Sequence, residues 1–166
     1  MSTDKLVITR MSELTPIHRQ FGKYDEFESF PVVARSENRR CCVGFYLIPP
    51  GKANFPYHYH ELNEEVFFII SGNGIILTED GTKELAAGDV VFCPPSPAGA
   101  HKIANVSESE PLVYIEFDTA NYPDVVQYPK TGAFGILRRD PAGNEFRRQD
   151  PKIDYSTEVE MPEQDW

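Results

Sequence analysis

The apolar positions of this chain fall in short runs cut by turn residues, with no sustained helical repeat. CVGFYLI (42–48) stops at Pro49-Pro50-Gly51, and EVFFII (65–70) stops at SGNG. IILT (75–78) meets KEL (83–85) through EDGT, where Asp80-Gly81 suits a tight hairpin. AAGD turns the chain again, and VVFC (90–93) ends at Pro94-Pro95. HKIAN (101–105) and LVYIEFDT (112–119) flank the polar turn SESE. Short strands at such close, regular intervals predict an all-β sandwich or barrel. Phe67 to Ile70 and Val90 to Phe92 are apolar at both parities, which predicts a sheet covered on both sides. The barrel core covers one side; a second copy in a homodimer, or the terminal arms, covers the other.

The two ends differ from this middle. Residues 1–41 are mixed and polar and read as an N-terminal arm, in which YDEFESF (24–30) is a helix or simply part of the arm. Residues 120–166 read as a loop-rich extension of the same single domain. From Asp150 onward the chain carries six acids and one lysine, so an irregular, mobile tail is expected there. Tyr122, Tyr128, Phe134, Tyr155 and Trp166 point to parts of the extension lying on the barrel or on a partner.

Composition narrows the function classes. The 166-residue chain has a net charge of −10, which disfavours nucleic acid and anionic membranes as partners. The N-terminus has no long apolar stretch of the secretory kind, and the run Val66–Ile70 is too short to span a bilayer. Cys41, Cys42 and Cys93 are an odd set with two adjacent members, read as reduced thiols of a cytoplasmic protein. Cys93 has no base at a defined spacing and reads as core packing.

The chemistry lies in YHYHELNEE (57–65). Two of the four histidines, His58 and His60, stand at i and i+2, which puts both rings on one face of an extended segment. Glu64 and Glu65 follow with opposite parity, so only one of them can join the histidines. A second histidine-bearing strand opens at His101. Three imidazoles and one carboxylate suit a divalent transition metal (Fe, Mn, Ni, Co or Zn) better than Mg or Ca. His18 lies outside every such pattern.

These residues resemble the two motifs of the cupins. The first motif maps to Gly51, His58, His60, Glu65 and Gly72, and its spacing selects Glu65 over Glu64. The second maps to Gly88, Pro97, Gly99, His101 and Asn105, with Pro94-Pro95-Ser96 lengthening the turn. The likeness covers about residues 42–119 and extends to a group of small single-domain bacterial cupins, some carrying a provisional sugar-phosphate isomerase label. It implies a double-stranded β-helix, or jelly-roll barrel, and a metal held by His58, His60, Glu65 and His101. Gly72 and Gly88 then serve as turns, and Gly99 lets the backbone pass close to His101.

Four protein ligands leave about two coordination positions for a small oxygenated molecule. The expected function is a metal-dependent enzyme on such a metabolite, an isomerase of sugar phosphates ahead of an Fe(II) dioxygenase. The alternative is a non-catalytic small-ligand sensor. An isomerase needs one more acid or base, for which Glu64, Tyr57 and Tyr59 are the nearby candidates. A phosphate needs a cation, for which Lys52, Lys102, Arg39 and Arg40 are nearest in sequence. No catalytic residue is assigned by sequence alone.

Overall fold

A computed structural model describes residues 6–33 and 40–148. The tail from Asp150, with Tyr155 and Trp166, and also Arg39, lie outside the described residues. Among the described residues thirteen strands follow in chain order. They are β1 (Ile17–Phe21), β2 (Asp25–Pro31), β3 (Cys41–Ile48), β4 (Tyr59–His60), β5 (Glu65–Ser71), β6 (Asn73–Thr78) and β7 (Gly81–Ala86). β8 (Val90–Cys93), β9 (Lys102–Ala104), β10 (Leu112–Thr119), β11 (Asp124–Tyr128), β12 (Ala133–Leu137) and β13 (Glu145–Arg148) complete the set. Among the described residues no helix is long and apolar enough to cross a membrane.

All strand pairs are antiparallel, and they form three sheets. The largest runs β1-β2-β3-β10-β5-β8. Two smaller ones, β7-β6-β9 and β13-β12-β11-β4, are linked where residues 53–58 run beside 101–104 through bridges Ala53–Ala104 and His58–His101. Two layers result, with the core between them, and the architecture is that of a jelly roll. Strict alternation fills that core: Phe67 and Ile69 of β5, Leu112 and Tyr114 of β10, Ile76 of β6 and Ile103 of β9 all point inward and are buried.

The terminal regions are more regular than the sequence pattern foretold. Residues 25–31 form a strand, not a helix, because their alternation sends Phe27 and Ser29 inward and Glu26 and Glu28 outward. β1 and β2 thereby extend the large sheet beyond β3. The C-terminal extension carries three strands between its turns, and β11 pairs directly with the short strand that bears His60. The outward row of the large sheet stays half-exposed in the single chain. Val66 stands opposite Phe92, and Phe68 opposite Val90; Phe92 keeps 56% and Val90 66% of its surface.

The turn glycines do what their motif positions imply. Gly72 (φ +83°) and Gly88 (φ +98°) occupy backbone conformations that L side chains avoid. A Cβ on Gly72 would meet the Pro111 carbonyl oxygen at 2.3 Å, whereas one on Gly88 would find open space. Gly88→Ala therefore costs the backbone strain alone, about 1–2 kcal/mol. Gly72→Ala adds overpacking and costs about 2–5 kcal/mol in all. Urea unfolding of the two variants measures this, and equal losses would contradict it.

Candidate metal centre

The local chain explains how the site is assembled. His58 sits in a reciprocal backbone bridge with His101, His58 N donating to His101 O (3.1 Å) and His101 N to His58 O (2.9 Å). His60 lies two residues on, in β4, facing the same way. Glu65 opens β5 with inward parity, opposite Cys93 of β8 and Asp118 of β10, while Glu64 points out and is exposed. The imidazoles of His58 and His101 lie 4.9 Å apart, and those of His58 and His60 5.4 Å.

Each imidazole is oriented by an oxygen on its Nδ1. His58 Nδ1 donates to Pro56 O (2.8 Å), His101 Nδ1 to Gly99 O (2.9 Å), and His60 Nδ1 to Asp124 Oδ2 (2.5 Å). A carbonyl cannot donate, so the proton of neutral His58 and His101 is on Nδ1 and the lone pair is on Nε2. All three Nε2 atoms aim at Glu65: His60 at 3.5 Å and His58 at 3.8 Å from Oε1, and His101 at 3.7 Å from Oε2. Distances of this kind are at or beyond the hydrogen-bond limit. Gly99 serves this geometry twice, through its carbonyl and through its missing Cβ, which would lie 2.0 Å from Pro94 O.

Asp124 holds the His60 side of the cluster. Fully buried, it accepts from His60 Nδ1, from the Leu62 amide (3.0 Å) and from Asn63 Nδ2 (2.9 Å). Asn63 in turn accepts from Thr119 Oγ1 and from Asn121, tying the end of β10 to the loop before β5.

Charge follows from burial and these partners. Burial works against a protonated His60, but hydrogen bonds to Asp124 and Glu65 prevail and push it up to about 10. Burial likewise opposes an ionised Glu65, yet the surrounding imidazoles hold it well below the usual carboxylate range. Burial drives His101 down to about 4, so it stays neutral. Its Nε2, on a residue only 1% exposed, has no hydrogen-bond partner. A buried acceptor left unpaired costs about 1–3 kcal/mol, and acceptors facing one another repel. Nε2 lone pairs converging on a carboxylate are relieved by a cation bound between them, so the donor set fits a divalent metal. His58, Glu65 and His101 offer ligand atoms within 4.8 Å of one another; His60 stands beside this trio, next to Glu65.

A second acidic group adjoins the first. Glu116 and Asp118, on the inward face of β10, bring carboxylate oxygens within 4.8 Å of Glu65. Burial raises both carboxyls, Asp118 well above its usual value. Glu116 hydrogen-bonds to Asp118 and to Tyr46, and Asp118 Oδ1 is buried without a partner. These groups, with Glu65, His58 and His60, open on a cleft of about 980 Å³, walled by β1, β3 and the C-terminal strands.

Several sequence candidates stand elsewhere. Glu64 uses its backbone amide to bond Thr119, and the Tyr57 ring lies against Lys130. Tyr59 pairs with Gln127, whose side chain is bonded to Glu61. Lys52 is paired with Glu26 at 2.6 Å and Lys102 with Asp25, so neither cation is free for the cleft. Burial pushes the Cys93 thiol up to about 12, in keeping with a packing role. Asn105 is structural: its Nδ2 donates to Ile48 O and Glu110 O.

Comparison with known proteins agrees with this fold. The family profile described as the cupin domain matches residues 44–118. The uncharacterised protein MJ1618 of Methanocaldococcus jannaschii is 30% identical over 106 residues, covering 64% of this chain and 81% of that protein. A provisionally named sugar phosphate isomerase of Acidithiobacillus ferrooxidans superposes with a TM-score of 0.73 at 24% identity, covering 86% of this chain and 90% of its own. A sugar phosphate isomerase of the cupin superfamily from Silicibacter pomeroyi gives 0.72 at 16% identity, covering 89% and 96%. The chain belongs to the cupin superfamily.

Asp124→Asn removes the charged acceptor from His60. The His60 imidazole then titrates at lower pH than in the parent protein, as followed by NMR of metal-free samples. An unchanged titration would mean that Asp124 does not govern His60.

Proposed function

We propose that this cupin is a metal-dependent enzyme acting on a small oxygenated metabolite, with His58, His60, Glu65 and His101 as ligands to a divalent transition metal. The carrying observation is the convergence of three imidazole Nε2 atoms on the buried Glu65 carboxylate, with His101 Nε2 left unpaired. A metal so held supplies Lewis acidity toward a bound carbonyl or hydroxyl. The remaining work falls to the chain. Nδ1 partners keep each Nε2 aimed inward, and Asp124 fixes His60.

The proton-handling groups are Glu116 and Asp118. Both are inward-facing carboxyls whose burial favours the protonated form, and they line the same cleft as His58 and His60. With one member ionised and the other protonated, such a pair can take the proton from the hydroxyl-bearing carbon next to a carbonyl and return it to the former carbonyl carbon, while the protonated member gives a proton to the carbonyl oxygen and regains one from the neighbouring hydroxyl. That supports the isomerase reading ahead of the dioxygenase, which needs no such pair. The name of the Silicibacter pomeroyi protein points the same way.

Elemental analysis of protein purified without a chelating column tests the centre. About one metal ion per chain is expected in the parent protein, and His101→Ala loses it. Glu116→Gln keeps the metal but lowers aldose–ketose interconversion about 10²–10⁴-fold. No metal in the parent protein, even after reloading, would overturn the proposal. Dioxygen uptake on adding a substrate would place the chain with the oxygenases instead.

A further inference from the structure

The cleft has a second, oppositely charged end. β1 lends it Ile17, Arg19 and Phe21, three residues of one parity, and Arg19 is the one lysine or arginine among the described residues lining it. The register sets this orientation. Arg19 stands directly opposite Phe27, a fully buried core residue, so its side chain leaves β1 on the inner side of the sheet. An arginine placed only for solubility would be better served at position 18 or 20. Those positions face Glu28 and Glu26 across the strand pair. Arg19 instead makes no hydrogen bond or ion pair among the described residues, in a chain with ten more acids than bases. By contrast, Lys52 is tied to Glu26.

Aromatic rings join the two ends. Phe21 lies 6.2 Å from Phe55, centroid to centroid, and Phe55 lies 6.1 Å from His58. Phe55 also packs edge-on against Phe27 at 4.7 Å. A ligand resting on this bed meets His58, His60 and the carboxyls at one end and a guanidinium at the other.

We propose that Arg19 is the anion-binding residue of the cleft, holding a terminal oxyanion, phosphate or carboxylate, of a substrate whose other end reaches the candidate metal centre where His58, His60 and Glu65 face the cleft. This rests on the reading that the cleft receives a small oxygenated substrate, and it adds that the substrate is anionic. The guanidinium offers paired N–H donors that match either oxyanion.

The test begins with metal-free protein, because a metal would itself attract anions. Inorganic phosphate and, separately, acetate are titrated at low salt while the backbone amides of residues 17–21 and 55–58 are followed by NMR. Binding of at least one anion at β1 is expected. Arg19→Ala should weaken it by about fivefold or more, Arg19→Lys should retain part of it, and Lys52→Ala should leave it unchanged. If neither anion perturbs β1, or Arg19→Ala binds as tightly as the parent, the proposal is overturned.

Metal-loaded protein is then titrated with ribose 5-phosphate and with ribose when phosphate is the anion bound, or with glucuronate and glucose when it is acetate. A preference for the anionic sugar of about tenfold, or 1.4 kcal/mol, should disappear in Arg19→Ala. A preference that survives the substitution would also overturn it. Failure to load any metal would count against the metal centre alone, since the metal-free titration decides Arg19 independently.

Discussion

Two backbone hydrogen bonds between His58 and His101 hold the candidate centre together. They join segments forty-three residues apart in sequence, one leading into β4 and the other into β9. Without them the link between the two smaller sheets would rest on the Ala53–Ala104 bridge and the Asn54 side chain beside it, farther from the imidazoles. With them, the carbonyls of Pro56 and Gly99 come to lie under the two Nδ1 atoms, and both Nε2 atoms turn toward Glu65. The jelly roll thus supplies orientation through backbone atoms, which side-chain substitutions elsewhere do not readily displace.

Burial turns that orientation into a requirement. A neutral His101 imidazole and an ionised Glu65, both deeply buried, leave too few donors for the acceptors they present. His60 relieves part of this by carrying a proton between Asp124 and Glu65. A metal would take over that neutralising role and would have to displace the proton. Next to it, Glu116 and Asp118 sit where the same lack of water disfavours their ionised forms. One dry environment therefore accounts both for a cation site and for adjacent carboxyls that can carry protons.

Much of this could be read from residue order, for reasons tied to particular residues. The i, i+2 spacing of His58 and His60 is meaningful only in an extended chain, and the parity of Glu65 with Phe67 and Ile69 places its carboxylate inside. The same rule applied to LVYIEFDT would have placed Glu116 and Asp118 inward, in phase with Leu112 and Tyr114. Acids at core parity were the available signal. Asp124 had none: its role depends on β11 pairing with β4, sixty-four residues from His60. The terminal strands were hidden for a related reason. β1 is exposed along its whole length, and β11 to β13 are short and broken by polar turns, so their hydrophobic periodicity is weak. Arg19 escaped notice because only the register with Phe27 shows which way it points.

The central claim is that three Nε2 atoms and the Glu65 carboxylate together bind one metal ion. Anomalous diffraction from a crystal of metal-loaded protein, recorded at the absorption edge of the metal, tests it most directly. A single strong peak is expected about 2.0–2.3 Å from His58, His60 and His101 Nε2 and from a Glu65 oxygen. A peak bound through Nδ1, a peak held only by Glu116 and Asp118, or no peak near Glu65 would contradict it.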